Sequence, residues 1–198
     1  EEVGSGQPRI DYKDDSKGAL LLEPSRTNSL LQSNQFDTTW SATNATLTSG
    51  QIGVGGSTDA WKLEITNTAG YIQQSFNAVS GFHTISIYAK KGTLDFLMIY
   101  ARDSTGSNDA EFYFDLSNGV VSSTVGSNSI TLKITDVGGG WYRCEGVSSG
   151  GFNQYRVYAS NVGGSVNGTG NIYIQYAQLE EGSYSTSLIK TQGTIQTR

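Results

Sequence analysis

The stretch FHTISIYAK, residues 82–90, alternates strictly between two kinds of side chain. One set is mostly apolar and consists of His83, Ile85, Ile87 and Ala89. The residues between them are polar or amphipathic: Thr84, Ser86, Tyr88 and Lys90. An alternation with period two indicates a β-strand that turns one face to a hydrophobic core and the other face outward.

The same alternation recurs on both sides of this stretch. AEFYFDL (residues 110–116) and ITLKITDV (residues 130–137) alternate in the same way, while LDFLMIYAR (residues 94–102) is apolar on both faces at its centre and therefore predicts a strand in the middle of a sheet. Twenty-five glycines and turn sequences such as SNG (residues 117–119) separate these segments. The pattern predicts an all-β fold: two antiparallel sheets packed as a sandwich with a jelly-roll topology, preceded by an extended N-terminal arm.

Composition excludes several kinds of partner. The 198 residues suffice for one domain, and the net charge of −5, with no cluster of Lys and Arg, argues against nucleic acid as a partner. No apolar run approaches the length needed to span a membrane, so we expect no membrane partner either. Cys144 is the only cysteine, which excludes an internal disulfide and a cysteine metal cage.

Catalytic motifs are scarce. The single histidine, His83, has the parity of the apolar face, and no serine lies in a nucleophile elbow. The sequence also lacks a zinc-protease motif and a phosphate-binding loop. These observations predict a non-enzyme. A polysaccharide lyase or glycoside hydrolase stays as a minority alternative, because strands carry the carboxylates Asp95, Glu111 and Asp115 and a lyase could use Tyr88, Lys90, Arg156 and Tyr158.

Aromatic and planar polar side chains occupy the less apolar faces of several strands. Flat rings stack on the C–H faces of sugars, and amide and guanidinium groups bond their hydroxyls. The pattern therefore predicts a glycan-binding surface, although tyrosine is also common on strands for packing alone. The predicted ligand-binding residues are Tyr88, Lys90, Tyr113, Arg156, Tyr158, Tyr173 and Gln175.

One loop has the composition of a calcium site. ARDSTGSNDAE, residues 101–111, brings Asp103, Asn108 and Asp109 close together in the sequence, and oxygen ligands of this kind suit Ca²⁺. A polar hairpin loop without metal explains the same residues. Apart from this structural calcium, we expect no cofactor.

The N-terminal region carries the first motifs of a resemblance. PRIDY (residues 8–12) and GALLLEPSRTN (residues 18–28) resemble a segment recurrent in tail and virion proteins of tailed bacteriophages, where it introduces a jelly roll similar to carbohydrate-binding modules and concanavalin. GGSTDAWKL, TISIYAKKGT, FDLSNGVV, GGGWYRCEG and YAQLEEG follow in the order of that family, so the resemblance covers nearly the whole chain. The chain departs from the family at Gln175, where an aromatic residue is frequent, and at residues 188–190.

This resemblance implies a domain division and a setting. Residues 1–26 are expected to form the arm and to pack, through residues 20–22 and Arg26, on a sandwich formed by residues 27–198. Trp141 and Tyr142 are expected to fix their strand. The resemblance also implies a virion protein with an extracellular location, with glycans and other virion subunits as partners and a homotrimer as one oligomeric form.

Three functions follow from these expectations. The first is a non-catalytic module of a phage structural or receptor-binding protein that binds polysaccharide on a host surface or in the environment. The second is a purely structural tail or virion decoration domain. The third is the lyase or hydrolase named above.

Overall fold

A computed structural model of the chain describes residues 9–11, 16–21, 23–103, 105, 109–126 and 128–198. Within these residues the regular structure is β apart from one 3-10 turn, Val54–Gly56, and there is no α-helix. In chain order the strands are β1 Arg9–Asp11, β2 Ala19–Leu21, β3 Thr27–Asn28, β4 Ser41–Thr43, β5 Ala45–Gln51, β6 Ala60–Ile65, β7 Tyr71–Val79, β8 His83–Lys91, β9 Phe96–Arg102, β10 Asp109–Asp115, β11 Val120–Val125, β12 Ser129–Gly138, β13 Trp141–Ser148, β14 Phe152–Ser160, β15 Gly170–Glu181 and β16 Gln196–Thr197.

Two six-stranded antiparallel sheets form the sandwich. The first sheet has the order β11-β10-β9-β14-β7-β4, and the second has the order β12-β13-β8-β15-β6-β5. The chain crosses repeatedly from one sheet to the other, as expected for a jelly roll. The predicted all-β sandwich is therefore confirmed, and β9 lies inside its sheet between β10 and β14, as its doubly apolar sequence predicts.

The core lies between the sheets and follows the predicted parity. From β8 it receives Ile85 and Ile87, and from β10 it receives Phe112 and Phe114, all of them without exposed surface. Burial of each such side chain stabilises the fold by about 1.5–3 kcal/mol. Glu111, Tyr113 and Asp115 alternate with these phenylalanines and therefore lie on the outer face of the first sheet.

His83 lies at the end of this core. Its side chain is 5% exposed and packs edge-on against Phe152, with 5.9 Å between ring centroids. Burial lowers the pKa of the imidazole below its ordinary value, and the carbonyl of Gly81 and the charge of Glu181 only partly oppose this effect. His83 is therefore a buried histidine of the sheet end, as its parity predicts, and does not project from either outer face.

The N-terminal arm differs from the expectation at one of its leucines. In the part of the chain that the structure describes, β1 pairs with β2 alone, and this two-stranded sheet sets Leu20 opposite Ile10. Leu20 is 54% exposed, so its side chain is not packed against the sandwich and does not anchor the arm as predicted. Residues 1–8, 12–15 and 22 of the predicted arm lie outside the described residues.

Arg26 does anchor the chain, through the C-terminal region. Its guanidinium donates a hydrogen bond to the Glu181 carbonyl, and its backbone N–H donates to the Arg198 carbonyl at 3.0 Å. Nearby, the carboxylate of Glu23 forms an ion pair with Arg198 at 2.6 Å. The segment that follows Arg26 then runs beside β15, where Ala177 N–H donates to the Ser33 carbonyl at 2.7 Å. The two ends of the described sandwich are thus held to each other and to the second sheet.

The described residues include no helix with the length and hydrophobicity needed to cross a lipid bilayer.

Candidate functional site

The seven predicted ligand-binding residues lie on two opposite surfaces of the sandwich. Tyr113 projects from β10, and Arg156 and Tyr158 project from β14, all on the outer face of the first sheet. The outer face of the second sheet carries the other four: Tyr88, Lys90, Tyr173 and Gln175. The core separates these faces, so no single site includes all seven residues.

The outer face of the second sheet is engaged by other parts of the same chain. Gln175 is fully buried; its amide oxygen accepts the Val54 N–H at 2.8 Å, and its amide nitrogen donates to Ser57 Oγ at 3.1 Å and Asp59 Oδ1 at 2.5 Å. The expectation that Gln175 bonds a sugar is therefore corrected, because its amide fastens the loop between β5 and β6. Lys90 also has an internal partner, since its Nζ donates to the Gly139 carbonyl at 2.8 Å.

The tyrosines of this second face have similar internal contacts. Tyr88 packs edge-on against Tyr176 at 6.2 Å between centroids, and the Arg143 guanidinium lies 5.8 Å from the Tyr88 ring. Tyr176 in turn donates its hydroxyl hydrogen bond to Asp59. Tyr173 is half-buried in register with Lys90. The hydrogen bond from Tyr176 to Asp59 ties the β5–β6 loop to the sheet.

A row of large side chains crosses the outer face of the first sheet. Met98 of β9 lies in register with Tyr113 of β10 and with Tyr158 of β14, and Tyr158 lies in register with Tyr71 of β7. We call Tyr71, Met98, Tyr113 and Tyr158 the aromatic row. Val166, from the loop between β14 and β15, packs against it.

Two rings of the aromatic row are less accessible than the sequence predicts. Tyr113 is 2% exposed and Tyr158 is 6% exposed, although both have the outward parity of their strands. The Val166 loop and the neighbouring rings enclose them; Tyr71 and Tyr158, for example, have their centroids 4.9 Å apart. The expected open ring surface at Tyr113 and Tyr158 is thus corrected to a buried floor.

A more open row lies beside the aromatic row. Tyr100 of β9 is in register with Glu111 of β10 and Arg156 of β14, and Arg156 is in register with Gln73 of β7. All four side chains are half-buried. We call Gln73, Tyr100, Glu111 and Arg156 the polar row.

Arg156 is held in one orientation by its neighbours. Its Nε donates to Gln73 Oε1 at 2.7 Å, one Nη donates to Gln154 Oε1 at 2.9 Å, and the other donates to the Tyr158 hydroxyl at 3.3 Å. The guanidinium carbon lies 4.5 Å from the Tyr71 ring centroid and 5.8 Å from that of Tyr100. A planar cation is therefore fixed at the centre of this face before any ligand arrives.

Two carboxylates on this face accept hydrogen bonds from tyrosine hydroxyls. Tyr100 donates to Asp109 Oδ2 at 2.7 Å, and Tyr113 donates to Glu111 Oε2 at 2.7 Å. Burial, and next these hydrogen bonds, raise the pKa of both phenols above the ordinary range of tyrosine. Both hydroxyls therefore stay protonated near neutral pH and act as donors to the carboxylates.

Several residues of this face are not among the ligand-binding residues predicted from the sequence: Tyr71, Gln73, Tyr100, Arg102 and Gln154. Each lies two residues from another outward-facing residue on its strand, so alternation alone gives the direction of its side chain. It does not reveal that β7, β9 and β14 are neighbours, which requires the sheet order.

Two of the predicted calcium ligands, Asp103 and Asp109, accept hydrogen bonds from other side chains or from the backbone. The Asp103 carboxylate accepts hydrogen bonds from the backbone N–H and the hydroxyl of Thr105, both at 3.0 Å, and Asp109 accepts that of Tyr100. Asn108 lies outside the described residues. Among the residues described, no group of three or more His, Cys, Asp or Glu side chains is placed to hold a metal ion. Calcium at this loop stays a prediction.

Two of the three strand carboxylates considered for catalysis serve local structure. Asp95 forms an ion pair with Lys91 at 2.5 Å. Asp115 accepts hydrogen bonds from Ser117 and Asn118 in the turn after β10. Burial alone would raise the pKa of the Asp115 carboxyl, but these hydrogen bonds outweigh it and hold the pKa below its ordinary value. Only Glu111 belongs to the polar row.

Comparison with known proteins gives a distant structural likeness and no match in sequence. No family model matches the chain, and no curated protein matches it. Among solved structures, it is similar to the enzymatically active domain of tailspike protein 4 of bacteriophage CBA120, with 17% sequence identity and a TM-score of 0.43. The match covers 77% of this chain and 21% of that structure, so the chain spans about a fifth of the matched structure's length.

This likeness corrects one expectation from the sequence. The scarcity of catalytic motifs led to the prediction of a non-enzyme, whereas the matched structure is an enzymatically active domain. The prediction of a non-enzyme is therefore contradicted and is not kept.

Proposed function

We propose that this chain is a phage tail-associated domain that binds a glycan on the outer face of its first sheet. The observation that carries this proposal is the fixed guanidinium of Arg156, which lies over the rings of Tyr71 and Tyr100 and is oriented by three hydrogen bonds. Aromatic rings and planar hydrogen-bonding groups on one rigid surface are the combination that recognises sugars.

The polar row is the part of this face that a glycan would touch. Tyr71, Gln73 and Tyr100 remain partly exposed, while Tyr113 and Tyr158 form the floor beneath the β14–β15 loop. Side chains projecting from a central strand are held by neighbours on both sides, so little conformational entropy is lost on binding. The outer face of the second sheet has fewer polar groups available to a glycan, because its Gln175 and Lys90 already form hydrogen bonds within the chain.

The phage setting is part of the same proposal and rests on the motifs of the N-terminal region and of β13, which resemble those of tail and virion proteins. A virion location, other virion subunits as partners and a homotrimer belong to it. A decoration domain without a glycan ligand is the structural alternative, and binding experiments separate the two.

The test is a glycan array followed by titration calorimetry with the best ligand. Tyr100→Ala should weaken binding at least about tenfold, as expected when an aromatic contact at the centre of a site is lost. Tyr173→Ala is the matched control, because Tyr173 is a half-buried tyrosine on the opposite face. If Tyr173→Ala abolishes binding and Tyr100→Ala does not, the glycan binds to the second sheet and the proposed site on the first sheet is wrong. If no glycan binds at millimolar concentration, the decoration domain is the better explanation.

Cleavage of the bound glycan is the second candidate function. Asp109 and Glu111 project from the same face of β10, two residues apart, and each accepts a hydrogen bond from a protonated tyrosine. Most glycoside hydrolases use a pair of carboxyl groups that flank the glycosidic bond to be cleaved. Release of reducing ends from a bound polysaccharide, abolished by Glu111→Gln with binding retained, would support this function. Unchanged product release by that variant would exclude Glu111 as a catalytic residue.

A further inference from the structure

We infer that the glycan held on the first sheet carries carboxylate groups, and that Arg102 and Arg156 bind one of them. This inference rests on the proposed function and specifies its ligand as a sugar acid within a polysaccharide. It starts from the charges on this face, where the described residues show no ion pair between either arginine and a carboxylate.

Arg102 is the first of these cations. It lies on β9 in register with Asp109 and Gln154, so it borders the polar row. Its Nε is buried without a hydrogen-bond partner, and its guanidinium makes no hydrogen bond or ion pair with any residue that the structure describes. A half-buried guanidinium that lacks an anionic partner has lost part of its hydration without compensation, so binding an anion there is favourable.

Arg156 is the second cation, and it is diagonal to Arg102 on the neighbouring strand. Arg156 is in register with Tyr100, and Gln154 is in register with Arg102. Diagonal neighbours of this kind have Cα atoms about 7–8 Å apart, a distance that two long side chains can bridge. Arg156 uses three of its N–H groups on Gln73, Gln154 and Tyr158, and a guanidinium has five donors, so two N–H groups stay available for a ligand.

The acidic residues on this face, as far as the structure describes them, form no ion pair with these arginines, although Asp109 is in register with Arg102. Asp109 and Glu111 accept hydrogen bonds from Tyr100 and Tyr113 instead. Their presence also selects among anions. Both carboxylates and phosphates fit the fork of an arginine, but a singly charged carboxylate is repelled less by two nearby acids and by a chain of net charge −5 than a doubly charged phosphate is. A polymer with one carboxylate on a sugar ring also offers the C–H face that stacks on Tyr71 or Tyr100.

The experiment compares acidic polysaccharides with their own neutral derivatives. Polygalacturonate, alginate, hyaluronan and polysialic acid are each tested as such and after chemical reduction of the carboxyl groups to alcohols, by affinity electrophoresis and calorimetry at 50 and 300 mM salt. Neutral dextran, galactan and mannan complete the panel, and dextran sulfate reports binding to any polyanion. The variants are Arg102→Gln and, as the matched control, Lys133→Gln, which removes an exposed cation from the second sheet.

We expect at least one acidic polymer to bind and its reduced form to bind at least about tenfold more weakly, the loss expected for a charge-assisted hydrogen bond. Arg102→Gln should reproduce this loss and Lys133→Gln should not. Because Arg102 makes no hydrogen bond to any of the described residues, its replacement should leave the melting temperature within about 2 °C.

Three outcomes would overturn the inference, and they separate it from the proposed function. Binding of neutral polymers alone, or equal binding before and after reduction, would reject the carboxylate while leaving glycan binding in place. Equal losses in Arg102→Gln and Lys133→Gln, or binding of dextran sulfate as tight as that of the acidic polymer, would show a nonspecific attraction between charges. Binding of no polymer at all would reject both the inference and the proposed function.

Discussion

The guanidinium carbon of Arg156 lies 4.5 Å from the centroid of the Tyr71 ring, and the Arg156 Nε donates to Gln73 at 2.7 Å. Two residues of the neighbouring strand β7 therefore hold the cation, one by contact with its aromatic ring and the other by a hydrogen bond. This arrangement depends on the planar fork of arginine and not only on its charge.

Arg156→Lys should for this reason impair glycan binding although it preserves the charge. An ammonium group cannot reproduce the three hydrogen bonds that Arg156 makes to Gln73, Gln154 and Tyr158. We expect a loss of affinity of at least about tenfold by calorimetry. Wild-type affinity in the lysine variant would mean that charge alone suffices at this position.

Tyr158→Ala should destabilise the fold, because the ring is 6% exposed and packs between Tyr71 and Met98. The expected loss is about 3 kcal/mol in the free energy of unfolding, measured by urea denaturation. Tyr158→Phe keeps the ring and removes only the hydroxyl that accepts from Arg156, so it should cost about 1 kcal/mol or less. An unfolding midpoint unchanged by the alanine substitution would show that the ring is open to solvent after all.

Trp141→Ala should be among the most destabilising single changes. The Trp141 side chain is 2% exposed, in agreement with its expected role in fixing β13. Removing a buried indole costs about 3–5 kcal/mol. Tyr184 is the comparison, since it is 53% exposed and its ring lies 5.1 Å from the Arg26 guanidinium carbon, so Tyr184→Ala should cost about 1 kcal/mol or less. Equal losses for the two variants would contradict the burial of Trp141.

The stability of the β5–β6 loop should depend on pH through Asp59. Burial alone would raise the pKa of its carboxyl, but hydrogen bonds from Ser57 and Tyr176 outweigh burial and hold the pKa below its ordinary value. A carboxyl with a lowered pKa in the folded state stabilises the fold above its unfolded pKa of about 4, and this contribution is lost as the pH falls through the folded value.

The measurement is the unfolding midpoint of the wild type and of Asp59→Asn between pH 7 and pH 2.5. The wild type should be the more stable protein at pH 7, and the difference should shrink as the pH falls below about 4. Tyr176→Phe removes one of the hydrogen-bond donors to Asp59, so this variant should show a smaller pH dependence of the same sign. A difference between wild type and Asp59→Asn that stays constant over this range would contradict the assignment.

The sequence alone determined the class of the fold and the direction of most strand side chains. The alternation in β8 and β10 places Ile85, Ile87, Phe112 and Phe114 in the core, as observed. This succeeds because the side-chain direction in a strand has a period of two residues and is therefore a local property. The burial of Trp141 also agrees with the expectation drawn from the sequence.

Only the tertiary structure decided which of these residues share a surface and which of them a ligand can reach. Parity assigns Tyr88 and Tyr158 equally to outer faces, but β8 and β14 belong to different sheets, so the two rings lie on opposite sides of the molecule. Sheet membership depends on pairing between distant segments, and the burial of Tyr158 and Gln175 depends on loops that fold over the strands from elsewhere in the chain. Sheet membership and burial by loops both depend on contacts between distant parts of the chain, so the alternation within a single strand cannot predict them.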